Sequence, residues 1–239
     1  MIDEVDKSSN NQLFISFIGM LRNKYLKHNE GEDYTFQSVI LAGVYDIKNL
    51  KLKIRPEQEK KYNSPWNIAA NFTVDLSFNP EEISTMLNEY EKDAATGMDI
   101  DGISRVIYEY TSGYPFLVSR LCKAIEEDLQ RNWTKEGIEE AVKRLLKEQN
   151  TLFDDIIKNI ENNKELDSLA DDILMGGIEY SFVQTNPVIN MGIVFGLFKE
   201  NRRGKVQIHN KIFELLLYNH FSIRQELKRR ELKQYATSQ

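Results

Sequence analysis

The chain has 239 residues, 41% apolar and 28% charged, an ordinary globular composition with length for about two domains. Its 37 Asp and Glu outweigh 31 Lys and Arg; the net charge of -6 argues against a dedicated nucleic-acid binder while leaving room for a local basic patch. One cysteine, Cys122, excludes an internal disulfide and a multi-cysteine metal site. No apolar stretch reaches the ~20 residues a membrane span needs and no basic-then-apolar leader opens the chain, so a cytoplasmic protein with no membrane contact is expected.

Residues 11–27 place Leu13, Phe14, Phe17, Ile18, Leu21 and Tyr25 at helical spacing, with Ser8, Ser9 or Asn10 available as a cap. After the polar turn "EGEDY", residues 36–45, "FQSVILAGVY", have the short apolar run of a strand buried on both faces. A charged stretch broken by Pro56 and Pro65 follows, and "FTVDLSF" at 72–78 alternates with Phe72, Val74, Leu76 and Phe78 on one face. Helix, strand, loop, strand is the order of an α/β sheet whose first strands are missing, and residues 1–78 are assigned to it.

Asn79 as cap, Pro80 in the first turn, and Glu81 and Glu82 start a helix. A second helix follows over 99–110, then the turn "TSGYP", a third helix over 115–130, and a fourth capped by Thr134, so 79–150 is expected to be all-helical. Residues 151–222 read as two helices, then a hairpin with strands near 193–198 and 205–209 turning at Arg202 to Lys205, then a helix from about Lys211. Helices followed by a hairpin suggest a winged-helix-like α+β unit. Residues 223–239 form a charged tail, expected to be a frayed helix.

In this order the strings resemble the AAA+ and STAND-like P-loop ATPases, the bacterial AAA-like domain proteins in particular. "IDEVD" is similar to the end of a Walker B strand, and "VILAGVYDIKNL" to the sensor 1 strand. "SPWNIAANFTVDLSFNPEEISTMLNEY" is similar to the segment joining core to helical lid, "EYTSGYPFLVSRLC" to the lid's glycine–proline turn, and "KVQIHNKIFELLL" to the winged helix after it. The chain contains no G-x-x-x-x-G-K-[ST] phosphate loop. The resemblance therefore implies a C-terminal portion of a P-loop NTPase: a core remnant from Walker B onward, a lid and a winged helix. ATP and Mg²⁺ would belong to the complete parent, with no cofactor and no hydrolysis expected of this chain.

The resemblance also implies roles. Asp3 would hold Mg²⁺ and Glu4 would polarise the attacking water; by themselves the two are an acidic helix cap. Tyr45 and Asp46 would stand at sensor 1, or Tyr45 is a strand-ending tyrosine packed on the next helix. Arg55 would be an arginine finger, or one charge among Lys51, Lys53, Lys60 and Lys61. Gly113 and Pro115 would lie near adenine, and their residue types equally make a structural corner. Arg120 would be sensor 2, or a surface charge pairing with Glu126 or Glu127. His28, His209 and His220 are not at metal-ligand spacing, and Cys122 reads as a core thiol.

Arg202, Arg203 and Lys205 in the hairpin turn are candidate phosphate contacts, and Arg224, Lys228, Arg229, Arg230 and Lys233 give the tail a basic face. The acidic stretch "DDIIKNIENNKELDSLADDI" opposes them, which favours a protein partner or the chain's own subunits over DNA. The leading expectation is thus the C-terminal part of a regulatory ATPase whose parent hydrolyses ATP to drive domain rearrangement. Its rivals are a winged-helix DNA-binding regulator and a pseudo-ATPase subunit that binds protein.

Overall fold

A computed structural model of the chain describes residues 11–41 and 76–237. The chain divides into two units, Met1–Val74 and Asp75–Gln239. In the first, α1 (Asn11–Asn29) buries Ile18 and Leu21. Lys24 then reaches across the following turn to the Asp33 carboxylate at 3.2 Å.

The expected buried strand does not form over 36–40: Phe36, Val39 and Ile40 are 58%, 42% and 53% exposed. Nor is 76–78 a strand. Leu76 is 71% exposed, and the Phe78 N–H donates to the Gly113 carbonyl at 2.8 Å instead of to a ladder. An apolar run becomes a strand only when a neighbouring strand pairs with it, and the two described strands pair with each other. Residues 42–45 of the first run and 72–75 of the second lie outside the described ones.

In the second unit, helices α2 (Pro80–Ala94), α3 (Ile100–Thr111), α4 (Pro115–Asp128) and α5 (Lys135–Leu145) come first. Each begins where local chemistry dictates. Asn79 accepts from the Glu82 N–H and Glu82 from the Asn79 N–H, both at 2.8 Å, a reciprocal cap. Asp99 and Thr134 cap α3 and α5, and Pro115 opens α4. The apolar faces close on Ile83, Leu87, Ile107, Leu117, Leu121, Ile125 and Ile138, all essentially inaccessible.

Next come α6 (Thr151–Asn162), α7 (Lys164–Leu174), α8 (Pro187–Val194), strands β1 (Phe198–Glu200) and β2 (Val206–Ile208), and the long α9 (Lys211–Thr237). β1 and β2 pair antiparallel, Phe198 opposite Ile208 and Glu200 opposite Val206. Ser181 bridges to Lys205, and Val206 N–H donates to Tyr180 at 2.9 Å, so β2 lies between β1 and residues 180–182. One buried cluster runs from Ile83 in α2 to Phe221 in α9.

Two corrections follow. Among the described residues the fold is helical with one small antiparallel hairpin, not an α/β remnant of a parallel sheet. The hairpin also starts later than its apolar run suggested, because Ile193 and Val194 end α8. Asn186 caps that helix by accepting from the Val188 and Ile189 N–H groups, Pro187 opens it, and Gly196 (φ +68) ends it.

Candidate interaction surface

Among the sequence candidates, Asp3, Glu4, Tyr45, Asp46 and Arg55 lie outside the described residues. Gly113 and Pro115 form the corner between α3 and α4. Ser112 and Gly113 both take left-handed conformations (φ 48 and 74), and a Cβ on Gly113 would stand 1.8 Å from the Phe78 carbonyl oxygen. Lys199 of β1 donates to Ser112 Oγ at 2.7 Å, and Tyr114 packs edge-on against Phe213 of α9, with ring centroids 5.5 Å apart. The corner therefore joins the four-helix segment to the hairpin and α9.

Arg120 pairs with Glu148, beyond the end of α5, rather than with Glu126 or Glu127. Glu126 is engaged elsewhere: the Tyr90 hydroxyl donates to it, Arg131 lies 2.8 Å away, and Trp133 Nε1 donates to the Tyr90 oxygen at 3.3 Å. The Tyr90 hydrogen bond, with Arg131, holds the Glu126 carboxyl below its ordinary value; burial, then the bond to Glu126, pushes the Tyr90 hydroxyl up. Cys122 is partly buried against the core, and that burial pushes its thiol up to about 12, an unreactive state.

The hairpin turn exposes Arg202 and Arg203. Arg203 pairs with Glu179 at 3.2 Å, and Lys205 Nζ donates to Ser181 Oγ at 3.2 Å. Directly ahead of the hairpin, α8 reads "PVINMGIV" and carries no charge. It is held to the hairpin by a close approach: a Cβ on Gly192 would meet the Phe198 ring at 2.0 Å.

Sequence reading missed a groove between the α6–α7 pair and α9. Its volume is about 530 Å³, and Glu161, Asp167, His220, Ile223, Leu227 and Lys228 are among the residues lining it. Arg224 fastens its floor, with Nη1 2.7 and 2.8 Å from the two Asp167 oxygens and its guanidinium 4.8 Å from the Phe221 ring centroid. Around this tether α9 is exposed: Ile223 and Leu227, one turn apart, are 59% and 54% accessible, and Lys228, Arg229 and Arg230 follow. The spacing of Ile223 and Leu227 was a signal for this face, but only the packing of α9 shows that it is left uncovered.

No family model, curated protein or solved structure matches the chain. That result and the helical fold overturn the reading of the chain as part of a P-loop ATPase, including its Walker B and helical-lid assignments. Among the described residues no group of three or more His, Cys, Asp or Glu is arranged to hold a metal, and no helix is long and apolar enough to cross a membrane.

Proposed function

We propose that residues 151–237 act as a winged-helix-like module that binds protein and does not read DNA. One observation carries this reading. The helix before the hairpin stands where winged-helix proteins place side chains against base edges and phosphates. In α8 that helix is "PVINMGIV", with Asn190 its only polar side chain and no cation to neutralise a phosphate.

In the turn beside it Arg203 is paired with Glu179, which leaves Arg202 and Lys205 as the cations that could meet a phosphate. The neighbouring α6 and α7 expose Asp154, Asp155, Glu161 and Glu165, which would repel a phosphate backbone brought close. An uncharged helix with exposed carboxylates beside it suits a polypeptide partner better than a phosphate backbone.

Fluorescence anisotropy with labelled duplex DNA tests the proposal. At about 50 mM salt no saturable binding tighter than about 10 µM is expected, and Arg202→Glu with Arg203→Glu leaves the result unchanged. Micromolar binding that falls steeply with salt and is lost in the double variant would overturn the reading.

A further inference from the structure

We draw no further inference here: the strongest candidate, the groove between α6, α7 and α9 with Ile223 and Leu227 exposed along it, is lined by charges of both signs, Glu161 and Lys228 among them, and nothing in the structure shows what covers it.

Discussion

At Gly113 two separate constraints meet in one residue: a left-handed backbone (φ +74) and the Phe78 carbonyl where a side chain would begin. Gly97 has the same backbone conformation (φ +75) with open space around it. Replacing each by alanine separates the two. Gly97→Ala should cost about 1 kcal/mol in urea unfolding, the penalty for a left-handed L-residue. Gly113→Ala should cost roughly 2–4 kcal/mol, because the Phe78 segment must also move. Equal losses would show that the Phe78 contact yields freely. Cys122 gives a pH-dependent test. Its thiol is held up to about 12 in the fold, so the native state keeps a proton that the unfolded chain releases. Above about pH 8.5 the unfolded state binds fewer protons than the native one, and stability falls as pH rises. Between pH 7.5 and 9.5 the wild type should lose about 1 kcal/mol more than Cys122→Ala; parallel losses would mean that Cys122 does not carry the slope.

Among the elements, α8 decides how the module is read. Its apolar run resembles a buried strand as much as a helix, since periodicity alone does not separate the two over so few residues. The cap from Asn186 and the opening Pro187 favour the helix, and packing completes the choice. Gly192 lets the Phe198 ring close against the helix, and Phe198 is only 2% exposed. Gly192→Ala should therefore destabilise the unit by about 1–3 kcal/mol in denaturant unfolding, despite the higher helix propensity of alanine. A neutral or stabilising outcome would show that the ring can move aside and that the helix is not pinned to the hairpin. The paired β1 and β2 are short, so this contact and the Tyr180 and Phe182 backbone bonds to β2 and its turn matter more than strand length.

For the molecule as a whole, the informative fact is the continuity of the core within the second unit. Ile107 in α3 and Phe213 in α9 are 0% and 1% exposed and belong to the same buried cluster. The four-helix segment and the hairpin segment should therefore unfold together. Ile107→Ala and Phe213→Ala are each expected to cost about 2–5 kcal/mol and to lower one shared transition. Hydrogen exchange checks this: amides of α3 and α9 should lose protection in parallel in both variants. Loss confined to the mutated segment would mean two independently folding parts.

What the sequence determined by itself is the set of features held by contiguous residues. The starts at Asn79-Pro80 and Thr134, the corner at Gly113-Pro115, the turn at Arg202 to Lys205 and the start of α9 at Lys211 all rest on capping, backbone conformation and short periodicity. These act within a few residues and hold whatever surrounds them. The tertiary structure decided whatever depended on a distant partner. Residues 36–40 had strand composition, yet the described strands β1 and β2 pair with each other and not with them. Arg120 sat nearer in sequence to Glu126, but six residues along one helix put the two on different faces, and the packing brought Glu148 to it instead. The groove of α6, α7 and α9 joins residues some sixty positions apart, as Glu161 and Ile223 are. An ion pair or an apolar face is a matter of distance in space, and only the packing of α9 across α7 sets that distance and leaves Ile223 and Leu227 uncovered.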